Sequence, residues 1–227
     1  MRLRASVSRA HSKNHETNYM NPLSKRLFDI FFSALGLAAL CVPFLIVALC
    51  IKLTSPGPVF FRQQRIGRKG KSFFVIKFRT MFTGAERHGS ITTSNDSRVT
   101  PVGRWLRRCK LDEFPQLWNV LVGKMSFVGP RPDVPGYADR LEGIARIILE
   151  LRPGITGPAS LYFRNEEKLL ASEKDPKKYN DTVIWPKKVE LNLAYAENWS
   201  FWRDIGYILI TVFPFLNKWL KLVKRAD

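Results

Sequence analysis

Residues 30–51, IFFSALGLAALCVPFLIVALCI, run for 22 positions without a charged side chain. A straight helix of that length rises about 33 Å, roughly the hydrocarbon thickness of a bilayer. A helix buried in a soluble core carries a polar stripe, and this run carries none, so membrane insertion is predicted. Pro43, just past the middle, removes a backbone hydrogen bond and clashes with the preceding turn. Lys25 and Arg26 precede the run, and Lys52, Arg62, Arg65, Arg68, Lys69 and Lys71 follow it. Basic flanks favour the cytoplasmic side, and here both ends qualify. A segment that enters, breaks near Pro43 and returns satisfies both flanks; a bitopic helix kinked at the proline remains the alternative. Asp29, immediately before the run, is expected to pair with Arg26 at headgroup level.

The breaker Thr54-Ser55-Pro56-Gly57-Pro58 ends this segment. Residues 59–61 and 73–78 then read as short strands around the turn Gly67-Arg68-Lys69-Gly70. Residues 83–100 are polar and predict a surface loop. Residues 101–121 are helical in two pieces. Residues 141–151 place Leu141, Ile144, Ala145, Ile148 and Leu149 at amphipathic-helix spacing, and 166–178 predict a charged surface helix. Residues 195–202 read as the end of another helix. The apolar stretch 205–216 is too short to cross a bilayer. Beyond it Lys218, Lys221 and Arg225 can share one helical face, with Trp219 and Leu220 around the other side. That pattern fits an interfacial helix on anionic lipid or a terminal helix packed on the protein's own core. The chain thus divides into a basic, aperiodic tail (1–24), a membrane helix with its breaker (25–58) and a domain (59–227). No secretory cleavage site follows the apolar run.

Charge adds the next constraint. The 227 residues carry 37 Lys+Arg against 19 Asp+Glu, a formal net charge of +18 that implies anionic partners: nucleic acid, acidic lipid or phosphorylated metabolites. A hydrophobic fraction of 45% excludes wholesale disorder. Cys41, Cys50 and Cys109 form neither a disulfide framework nor a metal-ligand spacing, so the chain reads as intracellular or facing the cytosol. His11 and His15 sit in the aperiodic tail, where a metal role is a remote reading, and His88 falls in the polar loop. No Ser-His-Asp or Cys-His arrangement, Walker A loop or dinucleotide fingerprint is present. Chemistry must rest on carboxylates and cations, with or without a metal.

One segment concentrates them. Five basic residues lie between Arg98 and Lys110, and then Asp112 and Glu113 come side by side. Pro115 suits the first turn of a helix, placing both acids at its entry, where amides and the helix dipole favour the ionised form of Asp112. Pro130 and Pro132 hold the backbone around Arg131, and a rigid guanidinium suits phosphate. Strand alternation puts Lys77 and Arg79 on one face. Such a set fits phosphoryl transfer, with cations and Mg²⁺ neutralising charge and a carboxylate as nucleophile. The plainer reading keeps the basic run as a solvated face, with Asp112 and Glu113 capping a helix and pairing with Arg107 or Arg108. A membrane-tethered basic protein that binds nucleic acid or acidic lipid is the non-enzymatic rival.

With these segments quoted, the chain resembles the bacterial sugar transferases called monotopic phosphoglycosyl transferases. The pieces occur in family order: KRLFD (25–29), SPGPVFFRQQRIG (55–67), KFRTM (77–81), LDEFPQLWNVLVGKMSFVGPRP (111–132), RPGITG (152–157) and DIGYILIT (204–211). The resemblance implies an α+β monotopic membrane protein: a re-entrant helix-break-helix anchor, a small and mostly helical catalytic domain with short strands, and interfacial amphipathic helices. It implies transfer of a sugar phosphate from a UDP-sugar donor to polyprenyl (undecaprenyl) phosphate with release of UMP, at the cytoplasmic face of the bacterial inner membrane. Anionic lipid is then a partner, nucleic acid is not, and there is room for a homodimer. It makes Asp112 the nucleophile on the β-phosphate, Glu113 the Mg²⁺ ligand and Arg131 a phosphate or nucleotide contact. Arg107, Lys77 and Arg79 would add positive charge, and Arg164 would meet nucleotide or sugar. Lys25, Arg26, Asp29 and Pro43 would belong to the anchor. The family commonly breaks the helix at Ser-Pro; here Cys41-Val42-Pro43 keeps the proline and lacks the hydroxyl. Larger relatives carry additional transmembrane helices ahead of this region, and the resemblance leaves no place for them in 227 residues.

Overall fold

The apolar run folds as two helices, α1 (Leu23–Ala39) and α2 (Cys41–Thr54), joined at Leu40 and bent by 59°. The structure, a computed structural model, describes residues 22–85 and 96–222. His11, His15, His88 and Arg225, with nearly all of the tail and ten positions of the polar loop, lie outside the described residues. The break comes one turn before the expected proline. Pro43 occupies the third position of α2, where a backbone N–H has no intrahelical acceptor and its loss costs little. Among the described residues no single helix is long and apolar enough to cross a membrane, although the bent pair has the length and composition to do so.

The packing of α1 inverts the usual order. Its buried residues are Lys25, Asp29 and Ser33, spaced four apart on one face, while Leu27, Phe31 and Leu35 point outward. On α2 only Ile51 is buried, and Val42, Leu45, Ile46, Leu49 and Leu53 are exposed. The expected Asp29–Arg26 pair at headgroup level does not form. Asp29, 1% exposed, accepts hydrogen bonds from Ser126 Oγ (3.2 Å) and Phe127 N (3.1 Å). Arg26 instead donates to the carbonyls of Val120 and Leu121, both at 2.7 Å. Lys25 pairs with Asp204, which also accepts from Tyr195 Oη (2.7 Å) and Trp199 Nε1 (3.0 Å). A buried charge needs such partners, so the polar foot of α1 is held by the domain rather than by solvent or lipid headgroups.

Both predicted strands form. They make the antiparallel hairpin β1 (Phe60–Ile66) and β2 (Ser72–Phe78), in register from Phe60 opposite Phe78 to Ile66 opposite Ser72. The 101–121 region is α3 (Pro101–Arg108), a 3₁₀ turn (Leu111–Glu113) and α4 (Gln116–Leu121). A second sheet pairs β3 (Ser126–Val128) in parallel with β4 (Gly154–Thr156). It forms only because glycines meet there: a Cβ on Gly154 would lie 2.1 Å from Gly129 N, and one on Gly129 would lie 2.3 Å from Arg152 O. The VGPRP and RPGITG segments thereby interlock.

Several boundaries differ from the sequence expectation. Residues 143–150 form a 3₁₀ helix rather than an α-helix from Leu141, packed through Ile148 and Leu149 on Ile66. The charged stretch is two short helices, α5 having come before them (Pro158–Tyr162): α6 (Glu166–Ser172) and α7 (Pro176–Tyr179), since Pro176 must begin a helix. The expected helix end at 195–202 is a junction between α8 (Trp185–Glu197) and α9 (Phe201–Val212). The terminal interfacial helix shrinks to α10 (Asn217–Leu220), because Lys221 turns left-handed at φ 48 and ends it. Val128, Leu151, Leu161, Tyr195 and Ile210 form the main core, with Leu222 packed against it.

Candidate active site

Asp112 and Glu113 sit in the 3₁₀ turn that enters α4, as Pro115 predicts. Lys110, left-handed at φ 57, reverses the chain from α3 into that turn. The turn sets Asp112 among buried groups and aims Glu113 at two cations. Lys77 Nζ donates to Glu113 Oε1 at 2.7 Å, and Arg131 Nη2 donates to the same oxygen at 2.8 Å. Each cation arrives from a different element: Lys77 from β2, and Arg131 from the Pro-Arg-Pro segment leaving β3. The expected alternative, pairing of the acids with Arg107 or Arg108, is not what forms. Arg107 Nε donates to Thr80 Oγ1 at 2.9 Å and acts on Asp112 only through its charge.

The two acids have opposite titration behaviour. Burial pushes the Asp112 carboxyl above its ordinary value, against the charges of Lys77, Arg107 and Lys110, and Glu113 adds to the rise. A helix dipole that favours the ionised form is therefore outweighed; α4 has six residues and its dipole is correspondingly small. Burial acts upward on Glu113 too, but Arg131 and Lys77 outweigh it and hold that carboxyl well below the ordinary carboxylate range. Glu113 is thus a fixed anion. Of the two, Asp112 is the less supported as an anion.

A second tier of charges surrounds Arg131, and sequence reasoning missed it. Arg65 donates to Pro132 O at 3.2 Å, Lys188 pairs with Glu166 at 2.8 Å, and Lys188, Arg65 and Arg131 all act on Asp133. Burial nevertheless raises the Asp133 carboxyl above its ordinary value. Asp133, directly after Pro-Arg-Pro, offered one signal. Lys188 and Glu166 offered none, because they lie 22 positions apart on α8 and α6, with the whole of α7 between them.

Two expected site residues are elsewhere. Arg79 lies one residue past β2, where the strand alternation that would pair it with Lys77 no longer applies. It is buried and donates to Ser55 O (2.7 Å), Ser55 Oγ (2.8 Å) and the Pro56 carbonyl, tying the end of α2 to the hairpin. Arg164 is exposed beyond α5 and makes none of the hydrogen bonds among the described residues that build the site. Lys77, Arg131, Asp112 and Glu113 are brought together; Arg107 is a neighbour through charge.

A buried carboxylate beside a cation-clamped carboxylate, on an α+β domain with an inside-out helix pair, is an arrangement suited to group transfer. The chain belongs to the bacterial sugar transferase family, whose model matches residues 20–218. It is 40% identical over 206 residues to the UDP-glucose:undecaprenyl-phosphate glucose-1-phosphate transferase of Escherichia coli (strain K12), covering 88% of this chain and 42% of that protein. It is 35% identical over 192 residues to the UDP-N-acetylgalactosamine-undecaprenyl-phosphate N-acetylgalactosaminephosphotransferase of Aeromonas hydrophila, covering 83% and 42%. The uncharacterized sugar transferase EpsL of Bacillus subtilis (strain 168) is 36% identical over 188 residues, covering 83% and 85%. The chain spans about two fifths of the length of the first two.

Proposed function

We propose that this chain transfers a sugar 1-phosphate from a UDP-sugar to polyprenyl (undecaprenyl) phosphate and releases UMP, as a membrane step in bacterial glycoconjugate assembly. The convergence of Lys77 and Arg131 on Glu113, beside the buried and weakly supported Asp112, carries this reading. An Asp112 oxygen attacks the β-phosphorus of the donor. The bond from that phosphorus to the bridging oxygen breaks, UMP leaves with the electron pair, and the sugar phosphate stays on Asp112 as an acyl phosphate. A phosphate oxygen of the polyprenyl acceptor then attacks the same phosphorus. The Asp112–phosphorus bond breaks, giving polyprenyl diphosphate sugar and a free carboxylate. Lys77 and Arg131 face the charge that spreads over the phosphoryl oxygens, and their fixed geometry needs no reorganisation during transfer.

Among the described residues no group of three His, Cys, Asp or Glu side chains can enclose a metal ion. That suits Mg²⁺, which commonly uses one or two carboxylates and completes its shell with substrate phosphates and water. Glu113, with Asp112 beside it, would hold the ion, which when bound neutralises diphosphate charge. The outward apolar face of α1 and α2 supports a membrane location, their bend and the basic residues on both flanks support re-entry, and the net charge of +18 favours an anionic leaflet. The buried polar foot of α1 supports the same topology, because Lys25, Arg26 and Asp29 fasten the anchor to the domain that carries Asp112.

The test is UMP release by the full chain in lipid, with a panel of UDP-sugars, polyprenyl phosphate and Mg²⁺. Release from at least one donor, abolished by EDTA and lowered on the order of 10³-fold or more in Asp112→Asn, is expected. Undiminished release in Asp112→Asn contradicts the mechanism, and no release from any donor contradicts the activity. A non-catalytic tether predicts instead binding that is indifferent to Asp112→Asn and falls steeply with salt.

A further inference from the structure

We propose that Asn119 is a positioning residue for this site, its carboxamide standing in for a missing third strand on the free edge of β2 and so setting Lys77 against Glu113. The inference rests on the reading of the site given above. β2 belongs to a two-stranded sheet, and β1 covers only one of its edges. On the other edge the backbone must find partners, because unpaired buried peptide groups are costly. Asn119 supplies them in both directions: Ile76 N donates to Asn119 Oδ1 at 3.0 Å, and Asn119 Nδ2 donates to Phe74 O at 2.8 Å. That is the donor and acceptor pair a neighbouring strand would offer. Asn119 is 3% exposed, and its own carbonyl accepts from Lys124 N (2.9 Å) and Met125 N (3.0 Å), so the side chain has a rigid base.

The clamp lies one residue from Lys77 and six residues from Glu113. The path from Asn119 to Ile76, Lys77, Glu113 and back along the entry of α4 is a closed ring of hydrogen bonds and short covalent spans. Lys77 is a long, flexible side chain, and its hydrogen bond alone does not fix the height of β2 over the Asp112–Glu113 turn. The apolar contacts of Phe73 and Val75 with Val120 and Met125 hold the two elements together, but such packing is non-directional. The carboxamide adds the register. Because that apolar cluster survives its removal, variants at Asn119 are expected to fold.

The experiment is a double-mutant cycle on the full chain in lipid: Asn119→Ala, Lys77→Met and the double variant, assayed for UMP release across donor concentrations, with thermal melting of each. Asn119→Ala should lower kcat by about 10–100-fold while KM for the donor moves less than about threefold. The double variant should match Lys77→Met within about threefold, since the clamp acts through Lys77. Multiplicative losses, or wild-type kcat in folded Asn119→Ala, overturn the assignment. Should Asn119→Ala fail to fold, Asn119→Ser is read on the same cycle with the same criteria. A collapse of release in Asp112→Asn beside unchanged Asn119→Ala sinks this inference alone. Release that persists in Asp112→Asn sinks the site reading and this inference with it.

Discussion

Gly103→Ala adds one methyl group at the tightest junction behind the site. In the glycine form α3 lies directly on the Thr80 backbone: Thr100 N donates to Thr80 O at 2.9 Å, and Gly103 N donates to Thr100 Oγ1 at 2.9 Å. One turn further along, Arg107 Nε reaches Thr80 Oγ1 at 2.9 Å. A Cβ on Gly103 would stand 2.0 Å from Thr80 O and 2.6 Å from Thr80 C and Cα, all backbone atoms with no rotamer to relieve the clash. Carbon atoms settle at about 3.5–4.0 Å, so α3 must lift by roughly 1 Å. Overpacking of that kind costs about 1–3 kcal/mol, and a stretched buried hydrogen bond about 1 more. For a domain of this size the sum lowers Tm by roughly 5–15 °C. Arg107 rides on the same helix, so its charge moves away from Asp112 and UMP release should fall about 10–100-fold in protein that is still folded. Thermal melting and initial-rate UMP assays on one preparation read both effects. A Gly103→Ala protein that melts within about 2 °C of the parent and turns over at the parent's rate refutes the reasoning.

Three further outcomes follow from the same geometry. Arg131→Lys keeps a charge but loses the planar fork, and since Arg131 spends only one nitrogen on Glu113, kcat/KM should fall about 10–100-fold with little change in Tm; an unchanged kcat/KM contradicts a phosphate role. Burial raises the Asp133 carboxyl, so its ionised form destabilises the fold above that raised value, and the penalty disappears below the unfolded value near 3.8. Asp133→Asn should therefore melt higher than the parent at pH 7, with the gap closing as pH falls toward 4; a gap that is constant or reversed counts against the assignment. Cysteines placed at positions 20 and 56 should label from the same side of a sealed vesicle, and labelling from opposite faces rules out re-entry.

What could be read in advance divides along a physical line. Local signals survived. The uncharged run, the hairpin turn at Gly67-Arg68-Lys69-Gly70 and the proline at the entry of α4 depend on residues near one another, and each lies where expected. The two acids and Arg131 were legible because their chemistry is written in adjacent residues. Long-range partners were not. Lys25 and Asp29 look like headgroup residues beside an apolar run, and only the tertiary contacts to Asp204 and Ser126 turn them inward. Arg79 was misplaced because the strand period was carried one residue too far, past Phe78. Asn119 carried a usable signal, a carboxamide among Leu117, Trp118, Val120 and Leu121, since a buried amide needs partners. Its partner, the edge of β2, required the fold.

The proposed transfer depends on a covalent bond to one carboxylate, that of Asp112. This chain in lipid, incubated with UDP-sugar and Mg²⁺ but without polyprenyl phosphate, should release one equivalent of UMP and gain the mass of a sugar phosphate. Peptide mapping should place that mass on Asp112, and added polyprenyl phosphate should remove it. Asp112→Asn should show neither the burst nor the adduct. Turnover with acceptor present and no adduct at any time, or an adduct on another residue, contradicts it.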